Sequence, residues 1–391
     1  MQNKNRLVEL DSLRGLASLT VVMGHFTGVY SILLTTQYLG FKNIIEWLKF
    51  TPLHIVYAGH EAVLLFFILS GFVLTLPFLH RKQQKFIPFM IKRIFRIYTP
   101  IIVMVLIAVI AKKYFYDNLG FKGLSDWINL KWSDPISFKM IFQHVTLIFQ
   151  PDFEYGLNPV LWSLSHEVRV YFILPFLVPL ILKLNWKTNF VICGVLLIIG
   201  ALINKVTHIY LFGFDITVMY IPAFIIGIML AKYRDIIKEF YIKRLNISFK
   251  IALILVAVLL YTYTWLFPNL KILHNTIFNE GSIMIGASLF IVIALSSKNV
   301  SSFLSKPILV FFGKISYSLY LYHFVVLLSF LYILYNTIST WMILIIAFCV
   351  SLIVSYLSYK YIETPSNQLA RRIVSKLSKK GSQVSVKDLV I

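Results

Sequence analysis

The sequence predicts an all-α integral membrane protein of about ten transmembrane helices with both termini in the cytoplasm. Composition is the first reason. Of 391 residues, 59% are hydrophobic and 14% are charged, and the mean hydropathy is +0.80, whereas a soluble domain carries about 25% charge. So little charge cannot cover a water-facing surface, which excludes a disordered chain, a coiled coil and an ordinary soluble globule. The second reason is the pattern. Apolar segments run at about 13–34, 57–79, 99–116, 159–182, 188–204, 216–231, 251–267, 280–296, 313–335 and 340–360. Each is close to the ~20 residues a helix needs to cross ~30 Å of hydrocarbon. None alternates in polarity as a barrel strand would, and lipid leaves backbone groups no partner outside a helix. The third reason is charge placement.

With the N-terminus inside, the inner segments hold most of the 37 Lys and Arg: Lys4, Arg6 and Arg14, then the run from Arg81 to Arg96, Lys183 and Lys187, the run from Lys232 to Lys250, Lys298, Lys306, Lys314, and the tail from Lys360 to Lys387. That bias sets the orientation. It also accounts for the net charge of +21 through topology and anionic membrane lipid rather than nucleic acid. The fifth to eighth segments are the shortest, and tilt or interruption would suit them. Segment 112–158 is the one sizeable outer element, a lid, a substrate platform or a plain connection. It divides a membrane domain, 1–365, whose basic cytoplasmic tail, 366–391, reads as a surface helix followed by disorder. Cys193 and Cys349 each lie in an apolar run, so neither a disulfide framework nor a metal site is expected. The first apolar run is long enough to span and lacks the short core and cleavage site of a signal peptide.

A charge near the bilayer centre costs ~2.5–3.5 kcal/mol, so polar residues within spans are functional candidates. Arg14 and His25 are eleven residues apart in the first span. They share a face, with Ser18 between them, and lie roughly 16 Å apart along the axis. Arg14 then sits near the inner interface and His25 near the midplane, with Asp11 one turn before Arg14. A helix–helix hydrogen bond and a snorkelling anchor are the alternatives for that pair. Trp162-Ser163-Leu164-Ser165-His166-Glu167-Val168-Arg169 opens the fourth span. Either Glu167 and Arg169 neutralise charges on other spans, or the group lines a cavity shared with His25. His166-Glu167 and His60-Glu61 open like a zinc helix motif, but Val170 and Leu64 stand where its second His belongs.

Ser70 and Gly71 in the second span permit close approach by a helix or a ligand. Arg93 and Arg96 are adjacent on a helical face at the inner interface. Their guanidinium forks suit a phosphorylated cytosolic ligand or a lipid headgroup. Ser316, Tyr320 and His323, spaced four and three, make a polar stripe in the ninth span or an interhelical seam. Ten spans with polar residues near the midplane also suit a transporter of a polar or anionic solute. Neither inverted repeats nor matching broken helices are visible.

Taken in order, these stretches resemble the membrane-bound acyltransferase family 3, which includes O-acetyltransferases of bacterial surface polysaccharides. Leu13-Arg14-Gly15-Leu16-Ala17 with His25 is similar to the family's first-helix motif. Gly59-x-x-x-Val63-x-x-Phe66-Phe67-x-x-Ser70-Gly71-Phe72 resembles the second, and the Arg93/Arg96 pair before Pro100 resembles the basic inner loop. Trp162-Ser163-Leu164-Ser165-x-Glu167, Ile315-Ser316-Tyr317-Ser318-Leu319-Tyr320-Leu321-x-His323 and Glu363-x-Pro365 resemble the remainder. The resemblance runs from about residue 8 to 366. It implies transfer of an acyl group, acetyl from acetyl-CoA or another short acyl such as succinyl, to a hydroxyl of a carbohydrate or glycolipid; peptidoglycan and a small molecule are the other acceptors. It places the protein in a bacterial cytoplasmic membrane, with acyl-CoA as donor substrate and no resident cofactor or metal. Under that resemblance the expected catalytic residues are His25, as general base, Glu167, which orients or charge-balances its ring, and Arg14. Arg14, Arg93 and Arg96, with Ser70 and Gly71, are the expected acyl-CoA site, and Asp11, His166, Tyr320 and His323 the substrate-pocket candidates.

Overall fold

The computed structural model describes residues 7–30, 44–79, 85–148, 153–207, 213–267 and 274–387. Lys4, Arg6, Arg81, Lys82, the end of the first expected span and the last residues of the tail lie outside them. Every apolar segment falls on a helix. In chain order the helices are α1 (Val8–Thr27), α2 (Ile44–Lys49), α3 (Gly59–Leu79), α4 (Phe86–Phe115), α5 (Asp126–Asn129), α6 (Phe138–Thr146), α7 (Leu161–Lys183), α8 (Trp186–Thr207), α9 (Phe214–Arg244), α10 (Ile247–Tyr261), α11 (Thr276–Ser296), α12 (Lys298–Leu304), α13 (Pro307–Leu334), α14 (Thr340–Ser358) and α15 (Thr364–Lys387). No strand occurs among the described residues.

Eight of these are long and apolar enough to cross a membrane: α3, α4, α7, α8, α9, α11, α13 and the unit that α14 forms with the start of α15. The first expected span, α1, carries Glu9, Asp11 and Arg14, and the seventh, α10, has 15 residues. Neither is among the eight. Two basic stretches outside the expected spans continue neighbouring helices. Residues 86–98 extend the third span into a 30-residue helix, and 232–244 extend the sixth into a 31-residue helix. Lys, Arg and Glu are good helix formers, so a helix continues where hydropathy stops. Beyond α14, a π-helical turn over Tyr359–Glu363 leads directly into α15.

Apolar residues fill the interior and also cover much of the outer surface. In α9 and α13, 67% of the apolar span is buried, against 22% in α8. The first two are central, and α8 presents Phe190, Val191 and Val195 outward. Glycines set the two closest helix crossings. A Cβ on Gly15 would stand 2.5 Å from the Gly313 nitrogen, so α1 lies backbone to backbone against α13. Gly71 and Gly227 do the same for α3 and α9, where added Cβ atoms would meet the Phe224 and Ile68 carbonyl oxygens. Small residues at such crossings are the usual basis of helix association in lipid.

The segment between α4 and α7 forms a cap over the C-terminal end of α1. Ser125 caps α5 through the Ile128 N–H (3.2 Å). Its own hydroxyl donates to the Gly28 carbonyl (2.7 Å), and its N–H donates to the Val29 carbonyl (2.9 Å). Trp132 is fully buried and donates its indole N–H to the Leu157 carbonyl (3.0 Å). His144 Nε2 accepts from the Leu157 N–H (3.0 Å), while its Nδ1–H donates to the Met140 carbonyl (2.8 Å).

Candidate active site

The α1–α13 crossing carries a polar site with two ends. Arg14 lies two turns into α1, beside Ser316, Tyr317 and Tyr320 of α13. His25 lies near the end of α1, against His323 and Phe324 of the same partner.

The arginine end surrounds a cavity of about 30 Å³ lined by Arg14, Phe66, Ser163, Glu167, Tyr317 and Tyr320, among others. Glu167 accepts from Ser70 (2.7 Å) and from the Tyr171 hydroxyl. Arg93 lies over the rings of Phe89 and Tyr171, at 5.9 and 5.8 Å, and its Nε is buried without a hydrogen-bond partner. Arg14, Arg93 and Arg96 act electrostatically on one another and on Glu167, and Arg96 and Arg14 act on Glu363. Glu363 also accepts from Ser318 (3.2 Å). Tyr317 donates to the Ile97 carbonyl (2.9 Å), fixing α13 to the arginine-bearing stretch of α4. Three guanidinium groups here meet the carboxylates of Glu167, Glu363 and Asp11, and their N–H donors outnumber the acceptors described around them, the chemistry that binds phosphate.

The histidine end opens on a larger cavity of about 300 Å³. His25 Nδ1 lies 2.8 Å from His323 Nε2, and their rings are nearly parallel, at 12°. Trp127 of the cap stacks beside His25 with ring centroids 5.8 Å apart. The indoles of Trp127, Trp162 and Trp265 all reach the cavity wall. His60 Nε2 pairs with Glu280 (2.9 Å), and Glu61 accepts from the Trp265 indole N–H (3.1 Å). Outside the spans, His54 is 3% exposed, and burial, aided by the nearby Lys49 charge, pushes its pKa down to about 3. His54 Nδ1, the Tyr57 hydroxyl and Glu280 Oε2 are buried without partners. Val63 and Tyr320 stand in the walls of both cavities, so one side chain from α3 and one from α13 separate the two ends.

Several sequence expectations land elsewhere. Glu167 does not orient His25; it faces Ser70, Tyr171 and the arginines, and His323 holds the His25 ring. Gly71 packs on the Phe224 backbone and so serves the α3–α9 crossing rather than a donor ligand. His166 lines neither cavity: its Nδ1 meets Thr217 of α9 (2.8 Å). Arg169 beside it donates to Thr217 (3.0 Å) and to the Ile148 carbonyl (2.8 and 3.1 Å), tying the cap to α7 and α9. His323 is wholly buried and lines neither cavity. The Asp11 carbonyl lies where a Cβ on Gly313 would go, and Asp11 acts on Arg14 electrostatically. Arg14, Tyr320 and His25 do line the cavities.

The sequence reading missed Trp127, Trp265, Tyr171 and Glu280. A lone carboxylate opening an apolar run was a usable signal for Glu280. The tryptophans carried none, because Trp is ordinary at membrane interfaces.

A family profile described as "Acyltransferase domain" matches residues 7–360. A protein of Staphylococcus aureus strain COL named "Putative O-acetyltransferase" is 25% identical over 387 residues, covering 91% of this chain and 56% of the relative. The "O-acetyltransferase OatA" of S. aureus strain MRSA252 is 27% identical over 256 residues, covering 61% of this chain and 41% of the relative. The chain thus spans about half the length of the curated relatives it matches. No solved structure matches it significantly. With the profile covering nearly the whole chain, and with the six motif stretches distributed over α1, α3, α4, α7, α13 and the α14–α15 junction, the protein belongs to the acyltransferase 3 family.

Proposed function

We propose that this chain transfers an acyl group, acetyl from acetyl-CoA, to a hydroxyl of a cell-surface or exported carbohydrate. The observation that carries the reading is the two-ended site, in which a small cavity walled by Arg14 and Glu167, and a larger one walled by His25, His54 and His60, share Val63 and Tyr320. In this reading all ten apolar helices cross the bacterial cytoplasmic membrane, with both termini in the cytoplasm. The arginine end then faces the cytosolic donor and the histidine end the outer acceptor. The basic residues of the α4 start, the α9 extension and α15 support that orientation.

Arg14, Arg93 and Arg96 bind the phosphates of the coenzyme, and the thioester passes Tyr320 toward His25. The acceptor hydroxyl gives its proton to the free ring nitrogen of His25 as its oxygen attacks the thioester carbonyl. The tetrahedral oxyanion collapses, the C–S bond breaks, and His25 returns the proton to the coenzyme sulfur. Acetyl-CoA and an alcohol become an ester and free CoA. For the acceptor, three indole faces and unpartnered polar atoms suit a ring with apolar C–H faces and several hydroxyls.

The test uses the full chain in lipid nanodiscs with acetyl-CoA and a soluble oligosaccharide acceptor, reading release of CoA thiol, alongside mass spectrometry of surface glycans from cells with and without the protein. His25→Ala is expected to cut thiol release by about 10³-fold, within the range for a lost general base, and to abolish the glycan acetyl groups. Unchanged thiol release in that variant would overturn the assignment. A transporter of a polar solute would release no thiol at all.

A further inference from the structure

We propose that His323 is a positioning residue that fixes the tautomer of His25 and so decides which of its nitrogens acts as base; this rests on the reading of His25 given above. The inference follows from a chain of hydrogen bonds that ends on a group unable to change its role. His323 Nδ1 lies 2.9 Å from the Leu319 carbonyl, one turn earlier on α13. A carbonyl only accepts, so Nδ1 must carry the proton. In a neutral imidazole the other nitrogen is then a bare acceptor. His323 Nε2 lies 2.8 Å from His25 Nδ1, and that contact is a hydrogen bond only if His25 donates. His25 is thereby the Nδ1–H tautomer, and its Nε2 holds the free lone pair.

The cap contains an independent instance of the same wiring. His144 Nδ1 donates to Met140, also one turn earlier, and its Nε2 accepts from the Leu157 N–H, which can only donate. Anchoring Nδ1 to the preceding turn of its own helix thus turns a histidine into an Nε2 acceptor twice in this protein.

Burial separates the roles of the two rings. His323 is 0% exposed and is in the wall of neither cavity of the site, which leaves it behind His25 rather than against a substrate. His25 lies on the wall of the 300 Å³ cavity. Trp127 beside the His25 ring, and Phe324 edge-on at 5.1 Å, restrict its rotation. When Nε2 takes the acceptor's proton, the positive ring keeps its Nδ1–H bond to His323, and no proton moves between the two histidines. The proton on Nε2 leaves with the coenzyme sulfur, which restores the starting tautomer. An imidazole here performs the orienting role that a carboxylate performs in a Ser-His-Asp triad, without placing a second charge in the membrane.

The test has two arms, both on the full chain in nanodiscs. The first is ¹⁵N magnetic resonance of the ring nitrogens in wild type, with His25→Gln assigning the signals. His25 Nδ1 and His323 Nδ1 are expected protonated and both Nε2 atoms bare, and a protonated His25 Nε2 would overturn the proposal whatever the activity. The second arm reads CoA release from acetyl-CoA in the presence of a soluble oligosaccharide acceptor. His323→Ala is expected to lower kcat about 100-fold, with KM for acetyl-CoA changed less than 2-fold. His323→Gln, whose amide oxygen can accept from His25, is expected to recover at least a third of wild-type kcat. An Ala variant within 2-fold of wild type, or a Gln variant no better than Ala, would overturn it. If wild type releases no thiol, the acyltransfer reading fails, while the resonance arm still decides the tautomer.

Discussion

The two ends of α1 solve opposite problems on one helix face. The arginine end concentrates charge around about 30 Å³ and satisfies it with Glu167, Glu363 and tyrosine rings. Among the described residues, the histidine end holds a single ion pair, His60 with Glu280, and encloses about 300 Å³ walled in part by three indoles. The residues named at the first end come from long helices, except Glu363, which ends the π-helical turn between α14 and α15. The second takes Trp127 from the cap, and His54, Tyr57 and Trp265 from connecting segments. The difference teaches that charge in lipid demands rigid, mutually packed supports, whereas a cavity for a variable ligand can be roofed by loops.

The largest expected effect removes the comparison altogether. Both ends depend on the contact between Gly15 and Gly313, so Gly15→Val should disable them together. Overpacking of this backbone crossing is expected to destabilise the protein by about 3 kcal/mol and to drop acetyl-CoA turnover below a hundredth. A thermal unfolding scan in detergent, paired with thiol release, reads both. Loss of donor binding alone would mean that the ends are not coupled through the crossing.

Next in size are changes that should affect one end only. Arg93→Gln and Arg96→Gln each remove charge-assisted donors, worth about 1.5–3 kcal/mol apiece. Each is expected to raise KM for acetyl-CoA about 10-fold or more, with kcat within a few-fold. Trp127→Ala should do the converse. It is expected to leave KM for acetyl-CoA unchanged, to weaken acceptor use about 5-fold through lost stacking, and to raise hydrolysis of acetyl-CoA as water reaches His25. Initial rates with and without a soluble oligosaccharide acceptor separate these outcomes. A shift of the donor KM in the Trp127 variant would erase the division between the ends.

The same division explains what could be read from sequence. Arg14 and Glu167 stood out because a charge inside an apolar run has few explanations, Arg93 and Arg96 because two guanidinium groups three residues apart share a helix face, and helical spacing placed Arg14 and His25 on one face. Their partners were not legible. That Glu167 meets Ser70 and the arginines rather than His25 depends on how α3, α4 and α7 rotate about their axes, which hydropathy does not encode. Gly71 was visible as small, but whether a helix or a ligand fills the space beside it is a tertiary fact. The third apolar segment starts at 99 rather than 86 because Lys92, Arg93 and Arg96 lower the hydropathy while favouring helix. Trp127 and Trp265 gave no warning, since interfacial tryptophan is common and only the fold turns these two toward His25.

The smallest expected effect is the dependence of the cap on pH, and it sharpens the comparison because the arginine cavity has no histidine in its wall. His144 in α6 is 2% exposed, and burial pushes its pKa down to about 4, below the ordinary value of 6.5. A histidine depressed in the folded state binds fewer protons folded than unfolded between those values. Its contribution to stability is therefore complete above pH 6.5 and is lost as pH falls toward 4. Protonation at Nε2 would also destroy the bond from the Leu157 N–H. His54 at the cavity rim has the same sign, with its pKa near 3. Amide hydrogen exchange, corrected for the intrinsic effect of pH, should therefore show residues 138–148 and 153–157 opening more readily at pH 5 than at pH 8. The first turns of α1 around Arg14 should stay equally protected. His144→Phe should lose this pH dependence along with the Leu157 contact. Equal loosening of both ends at low pH would show that acid weakens the whole bundle rather than its roof.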